Sequence, residues 1–230
     1  MAIDERDFLK TIAKSLGRAE PLTKAPKRNE EGPPSFWQEQ KFEANAPFDF
    51  FKKNLEALTG RVELAANAEE ATRIIGDWLQ ELKAKSVIMW EHPELKKYIR
   101  LEMSGIKLDY WSPARDENQL VAAAEQADVG ITWADYAIGY SGTLALLCGP
   151  GKGRSVSLLP HTHIAVFSKS NLVPTLSSVM HDLTRFIGTE KMPSVIDFIT
   201  GPSRTSDIEM DLSIGVHGPF RVWTIVIDDQ

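Results

Sequence analysis

Between Val62 and Thr132 the sequence alternates short apolar runs with longer stretches of helical periodicity, and this alternation constrains the fold more than any other feature. Val62–Ala65 reads as a strand. Asn67 reads as the cap of a helix in which Ala71, Ile74, Ile75, Trp78 and Leu82 share one face. "SVIMW", Ser86–Trp90, is a compact apolar strand. Pro93–Met103 predicts a helix with proline in its first turn, Ile106–Trp111 a strand, Asp116–Ala127 a helix and Asp128–Thr132 a strand. Another helical segment, Pro47–Leu58, precedes them. This strand–helix order predicts a mainly parallel sheet with helices on both faces.

The second half changes style. Thr143–Cys148, Ser155–Pro160 and His163–Ser168 read as three strands with few residues between them, so part of this region should be antiparallel. Val173–Ile187 reads as a helix with Leu176, Val179, Met180, Leu183 and Phe186 inward. Ser194–Thr200 and Arg221–Asp228 read as strands. At the other end, Asp4–Leu16 is an amphipathic helix with Phe8, Ile12 and Leu16 at spacing four, ended by Gly17. Arg18–Ser35, with Pro21, Pro26, Pro33, Pro34 and many charges, has no periodic face and reads as a linker or strap. The expected organisation is an arm and linker over 1–35 and an α/β domain over 36–230. The arm's helix can serve a partner or pack on its own domain; the sequence leaves both open.

Composition narrows the function classes. Of 230 residues, 43% are hydrophobic, enough for a substantial core, and 26 basic against 32 acidic residues give a net charge of −6. That argues against general affinity for nucleic acid or anionic membranes and leaves room for a local basic pocket. The single cysteine, Cys148, cannot form an internal disulfide or hold an iron–sulfur cluster or cysteine-rich zinc site. No run approaches the roughly 20 apolar residues of a membrane span, and Met1–Lys10 lacks a signal-peptide core, so a cytoplasmic protein is expected. No metal site is expected: His161 and His163 alternate along a strand without a spaced third ligand. His92, before Pro93, and His181 read as surface or capping residues. Walker and G-x-G-x-x-G patterns are absent, so no cofactor can be named.

Open α/β sheets bind ligands at the carboxyl ends of their strands. Three glycine-containing clusters fall at such ends or in connections: Ala134–Thr143, Gly149–Ser155 and Ile199–Pro219. Glycines admit close backbone approach, and hydroxyls with cations suit an anion. The candidate ligand-binding residues are Ser141, Gly142, Thr143, Arg154, Gly201, Ser203, Arg204, Thr205 and Asp207. Lys152 adds a second base to the middle cluster, and His217, between Gly215 and Gly218, is the candidate proton acceptor. The expectation is that the three bends line one crevice. Each also reads as ordinary structure: a tight turn at Gly142–Thr143, a solvated hairpin loop at Gly149–Gly153, and a capped turn after Gly201.

The motifs "ADVGIT", "SGT", "GRSVSLLP", "ITGPSRTSDIE" and "GVHGP", in that order, resemble the LUD-domain proteins, in particular the LutC/YkgG family; the resemblance runs from about Val62 onward. It implies a Rossmann-like three-layer α/β/α fold of the NagB/RpiA/CoA-transferase-like type with an N-terminal helical arm. It also implies a part in oxidising L-lactate to pyruvate alongside two iron–sulfur partner proteins; in that reading the clustered Ser141, Thr143, Arg204 and His217 would bind a small carboxylate, another anion or a cofactor. One departure stands out: where the family often has an Ala-Glu pair before "SGT", this chain has Gly139 and Tyr140, so a carboxylate is replaced by a phenol of much higher pKa. Asp135, five residues before Tyr140, is a carboxylate that could compensate. The competing readings are a non-catalytic assembly or regulatory subunit, and an independent enzyme for a phosphorylated or acyl-CoA-like ligand, the latter supported by Lys152 and Arg154.

Overall fold

A computed structural model describes residues 4–25, 47–206 and 212–229. They fall in two compact units, the first containing residues 4–25 and the second the remainder. In the first, α1 (Glu5–Ser15) is capped by Asp4, whose carboxylate accepts from the Arg6 amide at 3.3 Å; Gly17 closes it at φ +70°. Phe8, Leu9, Ile12 and Leu16 are exposed on it. Most of the proline-rich stretch, from Pro26 onward, lies outside the described residues.

The second unit is a mixed α/β fold built on a six-stranded sheet in which every pair is parallel. Its strands are β1 (Arg61–Ala65), β2 (Ser86–Trp90), β3 (Lys107–Trp111), β4 (Val129–Trp133), β7 (Thr162–Ser168) and β12 (Arg221–Ile227), in spatial order β1-β12-β7-β4-β2-β3. Helices α2 (Pro47–Ala57), α3 (Ala68–Glu81), α4 (Pro93–Tyr98) and α5 (Glu117–Glu125) precede or connect the first strands. Asn67 caps α3 by accepting from the Glu70 amide at 2.9 Å. Every residue of β4 and β7 is buried, so the sheet is covered on both faces, as a parallel sheet requires.

A second sheet, β8-β5-β6-β9, combines β5 (Tyr136–Ile138), β6 (Thr143–Cys148), β8 (Leu172–Val173) and β9 (Val195–Ile199). β6 is antiparallel to both neighbours, and β5 pairs with β8 in parallel. Alternation along its strands divides the residues between two cores. Ala137, Leu144, Leu146 and Cys148 join the main core, while Tyr136, Ile138, Ala145 and Leu147 pack with Val179 and Leu183 of α7 (Leu176–Leu183). A two-stranded ribbon, β10 (Arg204–Ser206) with β11 (Leu212–Ile214), completes the second unit.

Three sequence expectations are corrected. Ser155–Pro160 is not a strand: Ser155–Leu158 forms a short helical turn, α6. The chain must cross here from β6 in one sheet to β7 in the other, and α6 does so pressed on β4. A Cβ at Gly130 would stand 1.9 Å from the Val156 carbonyl oxygen. Helix α4 ends at Tyr98 rather than Met103, because Ile99 turns extended (φ −122°, ψ 118°) and buries its side chain. Helix α7 is shorter than Val173–Ile187. Leu172 and Val173 are drawn into β8, and Leu176 and Met180 lie exposed while Val179 and Leu183 face the core.

Candidate functional site

The first and third clusters meet. The turn joining β5 to β6 closes with the Gly142 amide donating to the Ile138 carbonyl at 3.0 Å, and Gly142 has φ +64°. A Cβ there would stand 2.5 Å from the Leu55 amide nitrogen of α2. Asn54 of the same helix donates to the carbonyls of Gly139 and Tyr140 at 3.0 and 2.8 Å. From the other cluster, Gly201 (φ +80°) abuts Leu58, and Arg204 donates to the Leu58 carbonyl at 2.6 Å and the Thr59 hydroxyl at 3.4 Å. The end of α2 thus clasps both bends. Between them runs a line of hydroxyls: Ser141 to Thr143 at 2.7 Å, and Thr143 to Thr200 at 2.7 Å. Ser203 is held by Pro219, Gly215 and the His217 amide, which donates to its hydroxyl at 3.3 Å. The His217 ring is exposed, Thr205 sits half-buried in β10, and Asp207 lies outside the described residues.

The middle cluster meets the first only at its beginning, where Lys152 reaches Asp135, and does not reach this hydroxyl seam. The Arg154 guanidinium is 3.7 Å from Asp197, the cross-strand partner of Leu146. Leu146 is three residues along β6 from Thr143, about 10 Å at 3.4 Å per residue. The single expected crevice is therefore divided between a hydroxyl seam at the start of β6 and a charged group at its far end.

That charged group occupies the topological switch point of the parallel sheet. β2 and β4 are neighbours, but the chain leaves β2 towards β3 on one side and leaves β4 towards β7 on the other. Such a divergence opens a crevice at the carboxyl ends of the strands. His92 follows β2, Asp135 follows β4, and the loop Gly149–Gly153 brings Lys152 to Asp135. The Lys152 ammonium stands 3.5 Å from the Asp135 carboxylate, and both side chains are largely buried, 24% and 20% exposed. The other Asp135 oxygen accepts from the Leu147 amide at 2.8 Å.

The loop is not the solvated hairpin that its composition suggests. Gly149 and Lys152 exchange backbone hydrogen bonds at 2.9 and 3.3 Å. The buried Trp90 indole donates to the Gly153 carbonyl at 2.9 Å, and Gly153 lies so close to Trp111 that a Cβ would stand 2.0 Å from its ring.

His92 is half-buried and stacks on Trp133, with ring centroids 5.9 Å apart and planes 11° apart; Tyr98 also stacks on Trp133 at 6.0 Å. His92 caps α4 through Nδ1, which accepts from the Glu94 amide at 3.3 Å. Because Nδ1 accepts, the proton of the neutral ring sits on Nε2. Burial holds the His92 pKa below its usual value; Asp135 pulls it up and Lys152 pushes it down. Next to this group, the Cys148 thiol donates to Asp197 at 3.4 Å. Burial, then the Asp197 charge, push that thiol up to about 12, so it stays protonated and inert. Among the described residues, no three His, Cys, Asp or Glu side chains form a metal-ligating group, and no helix is long and apolar enough to cross a membrane.

Sequence reasoning had His92 as a surface or capping residue; the cap is there, and the stack on Trp133 is a tertiary contact with no local signal. Lys152 was visible as a base in a glycine loop, but its pairing with Asp135 across seventeen residues was not. Tyr140, at the position where the family often has a carboxylate, is exposed, whereas Asp135 is half-buried beside Lys152.

The comparisons agree with this architecture. The LUD domain family matches residues 49–227. A protein of Halalkalibacterium halodurans named lactate utilization protein C is 36% identical over 97% of this chain and 97% of its own length. One of the same name from a Geobacillus species is 33% identical over 99% and 98%. A crystal structure of a DUF162 family protein from Deinococcus radiodurans superposes with a TM-score of 0.57 at 20% identity, covering 79% of this chain and 96% of that one; at that identity it speaks to the fold. With most of its length matched and relatives aligned nearly end to end, the chain belongs to the LUD domain family.

Proposed function

We propose that the chain is a component of a system that oxidises L-lactate to pyruvate, acting with iron–sulfur partner proteins and binding a small carboxylate in the crevice at the carboxyl ends of β2 and β4. The reaction removes two electrons and two protons from lactate. One cysteine, buried and hydrogen-bonded to Asp197, cannot ligate a cluster, so in this reading the electrons leave through the partners. The relatives' shared name supports the pathway.

The observation that carries the site is the Lys152–Asp135 pair beside His92 at the switch point. Two cations, Lys152 and Arg154, each face a carboxylate, Asp135 and Asp197, so the group is close to neutral overall. That balance suits a singly charged carboxylate sharing Lys152 and does not suit a pyrophosphate or CoA phosphate. The test is lactate-dependent reduction of the reconstituted partner proteins with Lys152→Met. A fall of at least tenfold is expected; unchanged turnover refutes the site.

An assembly role for the arm is favoured by the exposed Phe8, Leu9, Ile12 and Leu16 on α1. Removing Met1–Ser35 should abolish co-purification with the iron–sulfur partners, and retained co-purification refutes that role.

A further inference from the structure

Among the described residues, two buried side-chain polar atoms have no hydrogen-bond partner: His163 Nδ1 and Thr224 Oγ1. They lie on neighbouring strands of the parallel sheet, and their side chains share one face. Ala165 of β7 is flanked in register by Thr132 of β4 and Thr224 of β12, and His163 precedes Ala165 by two residues, so all four side chains leave the sheet on the same side. We infer that the sheet holds one internal water on this face, bridging His163 Nδ1 to the Thr224 hydroxyl beside Ala165.

His163 stands diagonally to both threonines. Strands about 4.8 Å apart, rising about 3.3 Å per residue, make each diagonal about 8 Å long between Cα atoms. On the β4 side the ring closes that span directly through its distal nitrogen, with Nε2 2.8 Å from the Thr132 hydroxyl. The two ring nitrogens diverge, so with Nε2 on Thr132 the Nδ1 side of the ring is turned away from β4. Nδ1 is also the proximal nitrogen and reaches less far, so a ring drawn to Thr132 does not touch Thr224 as well. Two hydrogen bonds through one water span up to about 5.5 Å and close the remaining gap. The side group between the two threonines is only the Ala165 methyl, which leaves room that a larger side chain would take.

The ligand of this place must be small, neutral and able both to give and to take a hydrogen bond. Thr132, His163, Ala165 and Thr224, with Val62 and Val222 in register beside them, are at 0–1% exposure, so an ion would lie there without a counter-charge. Burial holds the imidazole neutral, its pKa pushed to about 3. A neutral imidazole has one N–H and one bare nitrogen, so Nδ1 donates or accepts according to the tautomer, and the hydroxyl does both. Water answers either tautomer and the hydroxyl at once. A carboxylate only accepts, an ammonium only donates, and each brings a charge. Internal waters are the usual partners of buried polar groups that lie together in this way. The bridge makes Thr132, His163, water and Thr224 one hydrogen-bonded line across three adjacent strands, β4, β7 and β12.

The test is a crystal structure of the full chain at a resolution that shows ordered water, paired with thermal melts of Thr224→Val and Thr224→Ser. A density peak within hydrogen-bond distance of both His163 Nδ1 and Thr224 Oγ1 is expected. Thr224→Val keeps the shape and removes the hydroxyl; its melting temperature should fall by about 2–4 °C, because the water loses an anchor. Thr224→Ser keeps the hydroxyl and should keep the density peak. A hydroxyl without a bridge gives the opposite result: valine then removes an unpaired buried group, and the melting temperature holds or rises. No peak between the two atoms in the parent chain, or Thr224→Val melting at or above the parent, overturns the inference. If the valine variant does not fold, the parent density alone decides.

Discussion

Replacing Gly153 with alanine tests whether Lys152 is delivered by a rigid loop. Gly153 does not have a positive φ, so alanine fits its backbone conformation and the effect must come from contact. The new Cβ would meet Trp111 at 2.0 Å from Cε2, 2.1 Å from Cζ2 and 2.6 Å from Nε1. Carbon atoms rest near 3.5 Å, so loop or ring must move by about 1.5 Å. Trp111 is buried at 9% exposure and carries the β2–β3 register through Trp90, so the loop yields first. Lifting it stretches the Trp90–Gly153 hydrogen bond of 2.9 Å. Overpacking costs about 1–3 kcal/mol and a lost hydrogen bond about 1 kcal/mol. A total near 3 kcal/mol corresponds to a fall in melting temperature of about 6–12 °C for a chain of this size.

Gly149, four residues earlier in the same loop, has nothing within 4 Å of its would-be Cβ, and Gly149→Ala is the matched control. Scanning calorimetry of the two variants decides the matter. If Gly153→Ala melts within about 2 °C of Gly149→Ala, less than 1 kcal/mol separates them, and the loop is not pinned as described.

The buried His163, bonded to Thr132 at 2.8 Å, has its pKa pushed by burial to about 3. The unfolded chain takes that proton below about pH 6.5 and the folded chain does not. Its contribution is therefore present above pH 6.5 and is lost as pH falls towards 3, by about 1.4 kcal/mol per unit. Urea titrations at pH 7 and pH 5 should show His163→Gln losing about 2 kcal/mol less than the parent chain, and equal losses refute the assignment. Cys148, with a thiol pushed up to about 12, should resist a thiol reagent at pH 8 in the folded protein and react at once in denaturant; prompt native labelling refutes its burial. Arg204→Ala should raise amide hydrogen exchange across both Leu58–Gly60 and Arg204–Ser206, because one guanidinium ties the two segments; a change confined to one of them refutes the clasp.

The parallel sheet was legible because each strand and helix before Thr132 announces itself locally, by an apolar run, a cap or a periodic face. Asn67 caps where expected, the helix read from Asp116 starts at Glu117 with Asp116 as its cap, and the strands fall within a residue or so of their predicted bounds. The misreadings occur where distant neighbours decide. Ser155–Leu158 alternates like a strand, but four residues carry too little pattern to resist the crossing between sheets, and Gly130, twenty-five residues earlier, supplies the room. The exposed Leu176 and Met180 complete an apolar face on paper, yet only the Val179–Leu183 stripe meets the small second core. In the site, the hydroxyl seam was readable as clusters of serine, threonine and glycine. The switch-point group was not, because His92, Asp135 and Lys152 are ordinary residues until the topology brings them to the same edge.

The position of β12 governs how the polypeptide can come together during synthesis. It lies between β1 and β7, pairing Val62 with Thr224 and Ala165 with the same residue from the other side. As the chain leaves the ribosome, β1 emerges more than 150 residues ahead of the strand that fills the gap beside it. Until then β1 and β7 each present an open row of amides and carbonyls to the surroundings. Folding must finish with an insertion rather than an addition at the rim, and a nascent chain stalled before Arg221 offers two sticky borders for chaperones to cover.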